Sequence, residues 1–393
     1  MTSVSDALSQ ILSLARQLES VRVPLGRALD CTLREGARGD TDSLPFDASA
    51  MDGYALRRAG SAGILRVIGT SAAGAGFAGT VGVGECVRIF TGAPVPSGAD
   101  CVVKQEDATR EGETLRIVRR DGPDYIRRRG ENRRAGEVIV PSGVRLGPPE
   151  LAALASAGVH QPLVTRRPRC VHAVSGDELV APDQTPAGAQ IRDSNSTLIA
   201  ALLARHGVDL VGHVRLRDDL AAAQTVLNAL PPYDVLLISG GASVGDHDFA
   251  RPALSALGYK LHFQQVNLRP GKPLVFASRG AQLAFALPGN PVPHWVVFQL
   301  FLAPLLGFLQ TGRLADPERL LGRVAAGSRW PAPDQRQTFW PCRAVIANGG
   351  YELTPLPVVS SGDSAGLVGA NALLPLPANS LDPAQPVEFI PCR

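Results

Sequence analysis

The chain has 393 residues, 45% of them apolar and 19% charged, and its 39 basic and 36 acidic side chains leave a net charge of +3. This length and apolar content exclude a disordered chain and set an expectation of roughly two to four globular domains. Near-neutral charge, 5% aromatic residues and no basic stripe interleaved with aromatics give no footprint for nucleic acid.

From Met1 to Gln17 the apolar positions Val4, Leu8, Ile11, Leu12 and Ala15 follow helical spacing, with Ser3 and Asp6 placed for a capping box. No continuous apolar core of a targeting peptide is present there. A polar, small-residue loop with two aspartates follows at Leu44–Leu56 (LPFDASAMDGYAL). Strand-sized pieces separated by glycines run from Leu65 to Val118 and read as a small β-rich domain. Tyr125 to Arg134 (YIRRRGENRR) concentrates arginines around a Gly-Glu turn, which reads either as a solvated face or as an anion site. A helix is expected from Pro148, with Gly158 as its stop.

Beyond Arg167 strands and helices alternate: a strand at Cys170–Val174, a helix capped by Asp193 or Ser194, a strand at Val208–Val214, a helix capped by Asp218, a strand at Tyr233–Ser239, and a helix at Phe249–Leu257. That alternation reads as a doubly wound parallel α/β domain, which binds ligands at the carboxyl ends of its strands. Polar turns occupy those ends: Gly176-Asp177-Glu178, Arg217-Asp218-Asp219, and the run from Gly240 to Asp248 (GGASVGDHD). The last of these joins a buried strand to glycines that let backbone approach a phosphate, and Asp246 and Asp248 are placed to hold a divalent metal. An ordinary strand-to-helix turn is the structural alternative. Two further turns, Leu268–Pro273 (LRPGKP) and Leu287–Pro291 (LPGNP), are expected to join the site or to be simple loops. The apolar segment Trp295–Leu309 is shorter than a bilayer span and contains Gln299 and Pro304. Leu320 to Arg393 has short strands and many prolines, as in a small β-barrel or sandwich. The six cysteines form no CxxC pair, so buried reduced thiols in a cytoplasmic protein are expected.

Taken together, PFDASAMDGYAL (45–56), RIFTGAPVPSGADCVVKQE (88–106), IRRRGEN (126–132), SGDEL (175–179), RDD (217–219), SGGASVGDHDF (239–249), RPGKP (269–273) and LPGNPV (287–292) resemble, in order, the MoeA-type molybdopterin molybdenumtransferases, relatives of the gephyrin E domain. The resemblance implies a central doubly wound α/β molybdopterin-binding domain (167–313). It also implies an inserted β-rich domain (46–126), a discontinuous elongated domain (1–45 and 127–166) and a C-terminal β-barrel-like domain (314–393). The implied reaction inserts molybdenum from molybdate into adenylylated molybdopterin, with release of AMP and help from Mg2+. A homodimer with a shared cleft is implied, as are contacts with the adenylyltransferase that makes the substrate or with recipient molybdoenzymes. Neither nucleic acid nor membrane is an implied partner.

Carried over position by position, the resemblance assigns catalytic roles to Asp52, Thr91, Glu178, Asp218, Asp248 and Lys272. Substrate contacts fall to Ser239, Gly240, Gly241, Ser243, Gly245, Arg269, Pro270, Gly271, Asn290 and Ser361, and the metal to Glu178, Asp246 and Asp248. Asp52 as a turn stabiliser and Asp218 as a helix cap are the structural alternatives. The chain departs from the family pattern at Asn132, Arg269, Pro293 and Pro341, and these departures sustain an alternative reading as a weakened or non-catalytic molybdopterin-binding scaffold. A molybdopterin adenylyltransferase is the other alternative.

Overall fold

The computed structural model describes residues 1–119, 122–217, 219–241, 249–314, 318–332, 334–347, 349–376 and 385–392. Two compact units emerge: one formed by Met1–Val21, Asp30–Thr32 and Val164–Arg393, the other by Arg22–Leu29 and Leu33–Leu163.

The first unit is built on a six-stranded sheet: β1 (Arg169–Ser175), β2 (Asp209–Leu216), β3 (Val235–Ser239), β4 (Lys260–Gln265), β5 (Pro273–Arg279) and β6 (Gln282–Leu287), in the order β2-β1-β3-β6-β5-β4. Strands β2, β1, β3 and β6 run parallel, whereas β5 is antiparallel to both its neighbours. The expected parallel sheet is therefore mixed at one side. The cause is local: Arg279 pairs with Gln282 across a two-residue turn whose Gly280 has φ +59°, and so short a connection can only return antiparallel.

Alternate strand residues face opposite cores, as the pleat requires. Leu237, Phe276, Phe285 and Leu287 point to one side, where they meet helices α1 (Val4–Leu14), α2 (Asn195–Arg205) and the long helix near residue 300. Leu236, Ile238, Ala277, Ala284 and Ala286 point to the other, against α3 (Leu220–Asn228) and α4 (Ala250–Ala256). Ser3 Oγ accepts from the Asp6 N–H at the start of α1, and Asp219 caps α3 by accepting from the Ala222 N–H at 2.7 Å, while the expected cap Asp218 lies outside the described residues.

The long helix comprises α5 (Pro291–Val297), a π-helical turn at Phe298–Leu302 and α6 (Ala303–Thr311). Pro304 has no N–H to give the carbonyl four residues back, and the wide turn precedes it. At 21 residues this helix is longer than the sequence suggested and apolar enough to cross a membrane. Its apolar window is 78% buried within the protein, as in a core helix.

After it, β7 (Leu320–Val324), β8 (Gln337–Ala347), β9 (Gly350–Pro355), β10 (Ala372–Leu376) and β11 (Val387–Pro391) close a five-stranded barrel in the order β8-β9-β7-β11-β10, with β10 returning to β8. Cys342, Leu353, Leu374 and Phe389 fill it. Closure satisfies both edges of the sheet.

The second unit holds another six-stranded sheet, in the order Cys101–Lys104, Gly53–Leu56, Glu85–Ile89, Ile64–Ser71, Thr114–Ile117, Ala108–Glu111. Glycine is required at position 53, because a Cβ there would lie 2.0 Å from the Val103 carbonyl oxygen of the paired strand. Beside this sheet Arg128 and Arg129 of the arginine run are tied down by carboxylates. Arg128 bridges Asp47 and Asp124 at 2.9 and 2.6 Å, and Arg129 reaches Asp42 at 2.7 Å. These guanidinium groups clamp chain segments together, and their charge is already matched.

Candidate functional site

In the first unit the chain passes from β1 to β2 on one side and then to β3 on the other, so the strand order switches between β1 and β3. A crevice forms outside the carboxyl ends of strands at such a point. Here that crevice is a cavity of about 700 Å³, lined by the Ser175–Glu178 turn, Arg192 to Asn195, Ser239 to Gly241, Pro273, the Pro288–Pro291 turn, and Gly362 and Ser364. The described residues of the Arg217–Asp219 turn do not line it.

Each wall has a local cause. Gly240 takes φ +91°, and a Cβ there would lie 2.7 Å from the Ser175 carbonyl oxygen, so only glycine lets the end of β3 pass this close to the end of β1. The Glu178 carboxylate folds back over Gly176, and no hydrogen bond or ion pair engages it among the described residues. Short strands Leu179–Val180 and Ile191–Arg192 pair in parallel, bringing Arg192 alongside. Asp193 accepts from the Ser196 N–H at 2.9 Å and from its hydroxyl, which resolves the cap of α2 in favour of Asp193. Asn195 donates from Nδ2 to the Gly289 carbonyl at 2.7 Å, joining the start of α2 to the Pro288–Pro291 turn. On the far side of that turn Asn290 Nδ2 donates to Ser361 Oγ at 2.8 Å, and the Val292 N–H donates to the Ser361 carbonyl at 3.2 Å. A loop of the barrel thereby completes the wall.

Beneath the cavity lies a buried polar chain that the sequence reading did not single out. Ser239 Oγ is 2.7 Å from His172 Nε2 and 2.7 Å from His294 Nε2, and His294 Nδ1 is 2.8 Å from the Asn290 carbonyl oxygen. A carbonyl only accepts, so His294 carries its proton on Nδ1 and its Nε2 accepts from the Ser239 hydroxyl. Ser239 Oγ then accepts from His172, whose proton sits on Nε2. His172 Nδ1 is left as a buried acceptor without a partner among the described residues. Burial holds both imidazoles neutral, pushing His172 down to about 3, with the neighbouring His213 and His294 adding to the effect, and His294 down to about 4.

Of the other expected site residues, Lys272 does not line the cavity, and its carbonyl accepts from the Val266 N–H at 3.0 Å. Arg269 donates to the Ala332 carbonyl at 2.9 Å and pairs with Asp334 at 3.5 Å. Pro270 is half-buried, and Gly271 is packed against Leu268 and Val297. Asp218, Ser243, Gly245, Asp246 and Asp248 lie outside the described residues. Among the described residues no group of three metal-ligating side chains is assembled.

In the second unit Asp52 and Thr91 come together. Asp52 Oδ1 accepts from the Thr91 N–H and from its Oγ1, each at 2.7 Å, and these bonds, the main-chain one first, hold its carboxyl below the usual range. Arg88 stacks over Tyr54 and Phe90 beside them, at 5.2 and 4.7 Å.

Three family models match the chain: the MoeA N-terminal region (domain I and II) over residues 2–158, a probable molybdopterin binding domain over 173–307, and the MoeA C-terminal region (domain IV) over 323–392. A curated relative from Nostoc sp., named molybdopterin molybdenumtransferase, is 34% identical over 96% of this chain and 90% of its own length. One from Staphylococcus aureus with the same name is 28% identical over 96% and 92%. Among solved structures, the molybdopterin biosynthesis MoeA protein of Pyrococcus horikosii is similar over 100% of this chain and 99% of its own, with a TM-score of 0.80 and 26% identity.

Proposed function

The chain belongs to the molybdopterin molybdenumtransferase family and is a transferase of molybdenum cofactor biosynthesis, and on that premise we propose that the cavity at the β1/β3 switch point is where molybdenum enters the pterin. In this reading adenylylated molybdopterin occupies the cavity, molybdate supplies the metal, and AMP leaves. The observation that carries it is the convergence of Glu178, the Ser239–Gly241 turn and the Asn290 turn on one crevice.

The residues have distinct tasks. Ser239 to Gly241 bring backbone without bulky side chains against the substrate, and Asn290, held by Ser361 and His294, fixes the opposite wall. Hard divalent cations take oxygen ligands, and the unengaged Glu178 carboxylate suits Mg2+ in that respect. Asp246 and Asp248 are its proposed companions. Magnesium, when bound, would neutralise charge on the phosphate oxygens. Asp52, Thr91, Asp218 and Lys272 are proposed to act in the same reaction. We further propose a cytoplasmic homodimer with a shared cleft, which receives substrate from the adenylyltransferase and passes product to molybdoenzymes.

The test is turnover. Purified protein with adenylylated molybdopterin, Mg2+ and molybdate is expected to release AMP and form active cofactor only when molybdate is present. Glu178→Ala and Asp248→Ala are expected to abolish both. Tight pterin binding by wild type without turnover would replace this reading with that of a scaffold.

A further inference from the structure

We propose that Arg192 is the residue of the cavity that receives a phosphate oxygen of the substrate; this deepens the reading of the cavity as a site for a phosphate-bearing pterin. The cavity wall contains two carboxylates, Glu178 and Asp193, and Arg192 is its single cation among the described residues. A substrate bearing phosphate charge entering between two carboxylates needs a counter-charge. The two cations expected from the sequence to supply it, Arg269 and Lys272, do not line the cavity, and Arg269 is engaged by Asp334 and Ala332.

Arg192 is held ready for this task. Its Nε donates to the Gln184 carbonyl at 3.0 Å. Gln184 is itself fixed, since its N–H donates to the Ala181 carbonyl at 3.0 Å and its Oε1 accepts from the Ala181 N–H at 3.3 Å. One edge of the guanidinium is thus anchored, and no carboxylate lies within ion-pair distance among the described residues. The adjacent carboxylate, Asp193, is committed to Ser196. A planar fork with one anchored edge suits two parallel bonds to a phosphate, which a lysine cannot make.

Full-length wild type, Arg192→Gln, Arg192→Lys and Arg205→Gln are titrated calorimetrically with inorganic pyrophosphate and, separately, with molybdate. Arg205 sits exposed in the last turn of α2, outside the cavity lining, so Arg205→Gln removes the same charge elsewhere. Arg192→Gln is expected to weaken pyrophosphate binding by about ten- to a hundredfold, the loss typical of a hydrogen bond to a charged group. Arg192→Lys should fall between, and Arg205→Gln should stay within about twofold. Absence of pyrophosphate binding by wild type, equal weakening by Arg192→Gln and Arg205→Gln, or weakening of molybdate alone overturns the assignment. Turnover separates the two levels of argument. If wild type is active and Arg192→Gln leaves the KM for adenylylated molybdopterin unchanged, the Arg192 assignment fails while the reaction stands. If wild type shows no molybdate-dependent AMP release but the pyrophosphate series behaves as expected, the reaction fails and Arg192 remains a phosphate contact.

Discussion

Replacing Ser239 with alanine isolates the buried chain beneath the cavity. The hydroxyl makes two bonds of 2.7 Å to imidazoles that are both fully buried. Without it the His172 Nε2–H has no acceptor and His294 Nε2 has no donor, and His172 loses its remaining hydrogen bond, because Nδ1 already lacks a partner among the described residues. A buried polar group left unsatisfied costs about 1–3 kcal/mol, so Ser239→Ala should cost about 2–6 kcal/mol. Urea denaturation at pH 7.5 measures it. The diagnostic step is a double-mutant cycle with His172→Phe, which removes the stranded donor and keeps an aromatic ring in the core. His172→Phe should be less damaging in the Ser239→Ala background than in wild type, by about 1–2 kcal/mol of coupling. Nitrogen NMR should show opposite tautomers, Nε2–H for His172 and Nδ1–H for His294. Strict additivity in the cycle, or the same tautomer at both positions, would refute the chain.

The same two imidazoles set a pH dependence. Their folded pKa values lie below that of an unfolded histidine, so the unfolded chain takes up protons first and stability falls as the pH drops below about 6.5. Between pH 6.5 and 5.5 each should remove about 1 kcal/mol, and His172→Phe should roughly halve that slope in denaturant titrations; an unchanged slope would place the titration elsewhere. Carboxylates such as Asp47, held low first by the Arg129 N–H and then by Arg128, act in the same direction only at more acid pH, as the pH falls through their folded values. Asp234→Ala should also destabilise the first unit. Asp234 meets Arg166 through two bonds at 2.6 and 2.7 Å, with both side chains about five-sixths buried, and also accepts from the Arg169 N–H at 2.7 Å. Loss on the order of 3 kcal/mol is expected, the low end for a broken buried pair because Glu19 still holds Arg166 at 2.6 Å. A melting temperature equal to wild type would refute it.

What could be read from the chain was what sits close together in it. The run Leu236–Ser239 ending in glycines is a buried strand with its turn at the cavity, and the caps of α2 and α3 fall within a residue of expectation. Spacing alone could not show partners far apart in sequence. His172 and His294 stand 67 and 55 residues from Ser239, and a lone histidine among apolar residues carries no mark of its partner. Arg128 and Arg129 look like a solvated run until segments 81 and 87 residues away supply Asp47 and Asp42. Arg192 had no distinguishing neighbour in sequence, since it is the fold that sets it in a wall whose other charged side chains, among the described residues, are the carboxylates Glu178 and Asp193. The antiparallel hairpin at Gly280 was the exception. Its signal was local, but the alternating strand and helix text before it outweighed it.

The departures from the family pattern can be weighed against their surroundings. Asn132 is held on both sides, accepting at Oδ1 from Arg127 and donating its N–H to the Ser43 carbonyl at 2.9 Å. Pro293 falls in the first turn of α5, where a main-chain N–H has no partner within the helix and its loss breaks nothing. Pro341 sits in β8 opposite Leu373, and its carbonyl still accepts from the Leu356 N–H at 3.1 Å. None of these three positions is itself a buried polar side chain without a partner among the described residues. Arg269 differs in kind. Its guanidinium is drawn toward Asp334, so a charge the family pattern associates with the site is committed to an ion pair with the barrel segment. That commitment raises the demand on whatever other cation meets the substrate phosphate, and among the described residues lining the cavity that cation is Arg192.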